Sequence, residues 1–101
     1  MSEEAEERLE MILTDEELRR IWSVHYGELY VDLHGLSCKK ARRLLSNIIN
    51  ILREPASIKV IHGYHHGTAL LSMVRTNFHN IHVYAVQPDV ANGGLTTLQV
   101  A

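Results

Sequence analysis

Leu29-Tyr30-Val31-Asp32-Leu33-His34-Gly35-Leu36-Ser37 is the stretch on which the reading of this chain turns. Leu29 to Leu33 is a short apolar and β-branched run between Gly27 and Gly35, the pattern of a strand. Ser37 is a good N-cap, because its hydroxyl takes a free backbone N–H at a helix start. Ala41, Leu44, Leu45, Ile48, Ile49 and Leu52 then recur at spacings of three and four, which gives the following helix a wide apolar face. Glu54-Pro55 stops that helix near Arg53, since the residue before a proline avoids helical dihedrals.

The pattern repeats downstream. Ile58 to Ile61 reads as a second strand, and His62-Gly63 follows it as His34-Gly35 followed the first. A second helix is expected from about Thr68 to Phe78, with Leu70, Met73, Val74 and Phe78 inward. Ile81 to Val86 is the third expected strand, Pro88 to Gly94 a turn, and Leu95 to Val100 the last strand. The order is βαβαββ, so the expected fold is α/β, an α+β two-layer sandwich: a mixed four-stranded sheet with two packed helices. Two β–α–β units call for parallel neighbours, and the last strand, after a short turn, is free to pair antiparallel.

Upstream, residues 1–28 read as a helical extension. Ala5, Leu9, Ile12 and Leu13 form one apolar stripe. Thr14 and Glu17 match a capping box, so a second helix should begin there, with Leu18, Ile21, Trp22 and His25 as its stripe and Gly27 as its end. The charges divide at the same place. The 101-residue chain carries a formal −2. Residues 1–28 hold nine acids against three bases, and residues 29–101 hold three acids against seven bases. The division into residues 1–28 and 29–101 is thus an acidic extension before a basic domain, and the mild total does not exclude a polyanionic partner. No stretch approaches the ~18 apolar residues of a membrane span. The acidic start lacks the basic and apolar regions of a signal peptide, and a lone Cys38 makes no internal disulfide, so a cytoplasmic location is expected.

If the strands are parallel, both His-Gly loops fall on one rim of the sheet, at the strands' carboxyl ends, where open α/β sheets bind ligands. Asp32 and His34, two residues apart, point to one side of an extended strand. The carboxylate either orients the imidazole for proton transfer near pH 7 or simply caps a neighbouring loop. Gly63 and Gly67 either let backbone approach an anion, with His65 and His66 as donors, or only permit the turn. Tyr64 stacks on an exposed base or shields its loop. Lys39, Lys40, Arg42 and Arg43 crowd the first turns of a helix, where the dipole prefers acids, so they either neutralise phosphates or form an ordinary solvated face. Seven histidines raise a metal reading, with His62, His65, His66, Asp32 and His34 as donors. There is no HExxH and no cysteine pair, which leaves a loosely held divalent cation as the metal reading; the metal ligands stay unassigned.

Asp32-Leu33-His34-Gly35, a helix, Ile61-His62-Gly63 with a second glycine, then Pro88 and Gly93-Gly94 before a last strand resemble the Smr (small MutS-related) domain, over about residues 29–101. That family is similar in fold to the C-terminal domain of bacterial translation initiation factor three, a βαβαββ two-layer sandwich. Its members bind nucleic acid, and several are nicking or RNA endonucleases. The resemblance implies cleavage by the D-x-H motif, Asp32 and His34, with Gly35 beside it. It implies substrate binding or catalysis by the H-G-x-G-x-G loop, which maps to His62, Gly63 and Gly67. His65 stands where the family has its middle glycine, and Tyr64 stands where it often has lysine. The resemblance thus implies an endonuclease on RNA or DNA, with His34 as acid or base and His62 and the glycine loop at the scissile phosphate. The alternatives are a binding module without catalysis and an adaptor or homodimer that uses residues 1–28.

Overall fold

The structure, a computed structural model, describes residues 1–25, 27–63 and 68–101. Its elements are α1 (Glu3–Ile12), α2 (Asp15–Arg19), β1 (Ile21–Ser23), β2 (Glu28–Asp32), α3 (Cys38–Leu52), β3 (Ala56–Ile61), α4 (Ala69–Ser72), β4 (Val83–Pro88) and β5 (Leu95–Val100), with a π-helical segment over Met73–Asn77 continuing α4. Helices and a mixed five-stranded sheet of order β1-β2-β3-β5-β4 make an α+β fold.

Local chemistry accounts for most boundaries. Ser37 Oγ accepts from Lys40 N at the start of α3, and Arg53, in the left-handed region at φ 55°, ends it just ahead of Glu54-Pro55. The capping box of α2 is complete: Glu17 N donates to Thr14 Oγ1 and Thr14 N donates to Glu17 Oε1. All six apolar residues expected on the inner face of α3 are buried, and Ile51 joins them. Leu29 and Val31 of β2, Ile58 and Val60 of β3, and Leu98 and Val100 of β5 alternate into the same core. Met73, Val74 and Phe78 close it from the second helical segment.

Three differences from the expected fold have physical causes. Residues 21–23 are a strand, not the continuation of a helix. α2 stops at Arg19, and Ile21, Trp22 and Ser23 pair antiparallel with Val31, Tyr30 and Leu29. A β-branched residue beside an aromatic suits an edge strand, and Trp22 stacks on its cross-strand partner Tyr30 at 5.6 Å between ring centroids. The sheet therefore has five strands rather than four. Second, β2 and β3 are parallel neighbours, but β3 and β4 are not neighbours: β5 lies between them and is antiparallel to both. The short connection from β4 to β5 makes that hairpin, and the inserted β5 leaves β4 at the edge. Third, β4 begins at Val83 and includes Pro88. An Asn80 turn, with Val83 N on Asn80 O and His82 N on Asn80 Oδ1, delays the strand and leaves Ile81 exposed. Proline is tolerated on an edge strand because no neighbour needs its missing N–H.

The N-terminal helix is part of the core. Ala5, Leu9 and Leu13 are buried, whereas Ile12 of the same stripe is exposed. Arg8 donates to the free carbonyls of Ile51 and Leu52 at the C-terminus of α3, and Ser2 donates from its N–H and hydroxyl to the Glu54 carboxylate. The Ser2 hydroxyl and its N–H hold the Glu54 carboxyl below its usual range, against the opposing effect of burial.

Candidate functional site

The rim at the carboxyl ends of β2 and β3 holds the His34-Gly35 turn and the His62-Gly63 strand end. Leu36 N donates to Leu33 O at 3.0 Å, which closes a turn with His34 and Gly35 at its centre. Gly35 has φ +83°, the value a type II turn requires at that position, and an added Cβ there would meet nothing within 4 Å. The glycine is therefore needed for its backbone angle and not for space. His34, at the preceding corner, is exposed. Leu33 N donates to Ile61 O at 2.9 Å, which ties this turn to the end of β3 and so to His62-Gly63. The two His-Gly pairs lie side by side at the ends of β2 and β3, as parallel pairing of those strands requires.

Asp32 does not face the neighbouring ring across a strand. β2 ends at Asp32, so strand alternation no longer governs His34. Asp32 Oδ1 accepts instead from the His34 backbone N–H at 2.9 Å. This is an Asx turn, in which a short carboxylate satisfies a nearby main-chain donor. Among the described residues, the His34 ring makes no hydrogen bond.

His62 is buried, and its bonding fixes its state. Nδ1 lies 2.8 Å from Gly63 O, which only accepts, so Nδ1 carries the proton. Arg75 Nε, which only donates, lies 2.9 Å from Thr96 Oγ1. The Thr96 hydroxyl proton is then directed at His62 Nε2, 2.8 Å away. Burial and the Arg75 charge hold the His62 pKa below its usual value, against the opposing pull of the Gly63 carbonyl. His62 is thus a neutral ring locked between the Gly63 carbonyl and the Thr96 hydroxyl of β5. His62 N and Gly63 N both donate to Gly94 O, and Arg75 Nη2 reaches Gly93 O, so the Gly93-Gly94 turn is bound into the same structure. Thr96 and Arg75 are the members that sequence reasoning missed. Thr96 had a signal: it alternates with Leu98 and Val100 on the core face, where a hydroxyl needs a partner.

This lock bears on stability. Thr96→Val leaves His62 Nε2 and Arg75 Nε without their partner and is expected to cost ~1–3 kcal/mol, read by urea unfolding. The pH dependence has a definite sign. The unfolded imidazole takes a proton below its ordinary value of about 6.5, and the folded one resists it, so acid favours the unfolded chain. The stabilising contribution of His62 is complete above pH 6.5 and is lost as pH falls from there through the lower folded value. The urea midpoint should be lower at pH 5.5 than at pH 7.5, and His62→Asn should shrink that difference.

The basic cluster is brought to the rim only in part. Lys39, Lys40, Arg42 and Arg43 are all exposed on the first turns of α3. Lys40 and Arg43 line a groove of about 260 Å³ together with Thr14, Glu16, Glu17, Arg20, Leu36 and Leu44. The acids of α2 thus share a groove with two of the four clustered bases, so the negative and positive halves of the chain meet there. Arg20, absent from the expected site, donates from Nη1 to Asp32 O at 3.1 Å and to His34 O at 2.9 Å. Cys38 is half-buried at the start of α3 and packs on the core. Tyr64, His65, His66 and Gly67, expected to bind substrate or metal, lie outside the described residues. Among the described residues no three His, Cys, Asp or Glu side chains gather as a metal-holding group, and no helix is long and apolar enough to cross a membrane. Comparison with known proteins finds no family model and no curated protein that matches the chain.

Proposed function

We propose that this chain is an Smr-like nucleic-acid-binding domain that cleaves the phosphodiester backbone of RNA or DNA. The observation that carries this reading is the placement of the two His-Gly pairs on one sheet rim, with the His34 imidazole exposed there and the basic start of α3 adjoining it. In the proposed reaction His34 acts as general acid or base, because its ring is exposed on the rim and engaged by no described residue. Asp32 is a positioning residue that sets the His34 turn through its main chain. His62, neutral and bound to Thr96, holds the end of β3, where Gly63 contributes backbone next to the scissile phosphate. Lys39, Lys40, Arg42 and Arg43 neutralise flanking phosphates. The test is an assay across single-stranded and structured RNA and DNA, with and without chelator. Cleavage of at least one class supports the reading, and no cleavage of any class sinks it.

A second reading, binding without catalysis, draws on the same geometry. The Asp32 carboxylate is engaged by main chain rather than by the His34 ring, and His62 is buried. That reading expects salt-sensitive affinity and intact substrate. In either case Arg42→Ala with Arg43→Ala should reduce the slope of log K against log salt by up to about two units. An unchanged slope would mark the cluster as merely solvated.

A further inference from the structure

The Asp32–His34 turn is held by a residue from outside the stretch that resembles a nucleic-acid enzyme. Arg20 follows α2 and clasps the turn with both its main chain and its side chain. Asp32 N donates to Arg20 O at 2.8 Å, Nη1 donates to Asp32 O and His34 O, and Nη2 lies 3.7 Å from the Glu16 carboxylate. One carbonyl, of Asp32, precedes the Leu33–Leu36 turn and the other belongs to its corner residue His34, so one guanidinium nitrogen grips the turn at two points. A guanidinium is well suited to such a clasp, because it stays charged and its planar fork keeps direction. The exposed Glu16 partner adds little by itself. Asp32 Oδ1 in addition takes the His34 N–H. The turn that presents the imidazole therefore has its main-chain groups restrained by two side chains, Asp32 on the N–H and Arg20 on the carbonyls.

We infer that Arg20 is a positioning residue of the candidate site, which sets the His34 turn through its carbonyls and so makes the N-terminal segment part of the active rim. This rests on the proposed function for its kinetic consequence but not for its structural one. A displaced general acid or base loses rate rather than substrate affinity.

The test compares wild type with Arg20→Gln and Arg20→Lys. In Arg20→Gln the His34 amide should exchange about tenfold faster, while the Val60 and Leu98 amides in the sheet stay protected. With a cleavable substrate, kcat should fall about tenfold and KM should stay within about twofold. Arg20→Lys keeps the charge without the fork and should recover part of both effects, which also covers the case of a glutamine variant that fails to fold. Unchanged His34 exchange in either folded variant, or a kcat loss no larger than the unfolded fraction, would overturn the inference. A wild-type protein that cleaves nothing would end the nuclease reading alone, because His34 exchange still decides the role of Arg20.

Discussion

Replacing His34 with Ala is expected to reduce cleavage by about 10²–10⁴-fold, the usual contribution of a positioned proton-transfer group. The ring is exposed and bonds no described residue, so its removal should leave the fold intact, with an unchanged urea midpoint. The drop should appear mainly in kcat, since binding is assigned to the basic helix start and the glycine-bearing strand ends. Asp32→Asn separates two versions of the mechanism. Its amide oxygen still accepts the His34 N–H, so a purely positioning carboxylate predicts a loss of less than about tenfold. A loss as large as that of His34→Ala would mean that the Asp32 charge itself acts on the imidazole. Wild-type cleavage by His34→Ala would remove His34 from the reaction.

Leu9→Ala is expected to destabilise the protein by ~2–5 kcal/mol, the cost of a large-to-small change in a packed core. Leu9 is only 2% exposed and packs within the same cluster as Leu45, Ile48 and Leu52 of α3. Met11, two residues along and 85% exposed, serves as the control, and its replacement by Ala should stay within about 0.5 kcal/mol. The contrast, measured by urea unfolding, distinguishes a core helix from an appended one. It also decides how the acidic segment should be probed. Removing residues 1–28 would strip α1 from the core and β1 from the edge of β2, so charge-neutralising changes at Glu16 and Glu17 are the sounder test of screening.

Much of the fold was legible locally. The Thr14–Glu17 box, the Ser37 cap and the apolar face of α3 each rest on residues within a turn or two of one another, and each is found as read. The strand at residues 21–23 was not, because three residues carry too little periodicity, and Ile21 and Trp22 also fit the preceding helical stripe. Only pairing with Val31 and Tyr30 tips them into a sheet. The position of β5 was equally hidden: alternation marks a strand but not its neighbour.

The candidate site divides along the same line. From its residues alone, the chain determined two His-Gly corners at strand ends, the basic start of the intervening helix and a glycine at each corner's positive φ, because those depend on backbone conformation over a few bonds. Tertiary structure decided what the side chains do there. His62 is locked by Thr96, 34 residues away, and Arg75 reaches that hydroxyl across 21. Arg20 holds carbonyls 12 and 14 residues further on. Such partners are set by which strands pair and which helices cover them, and that long-range burial leaves no local mark on the residues it brings together.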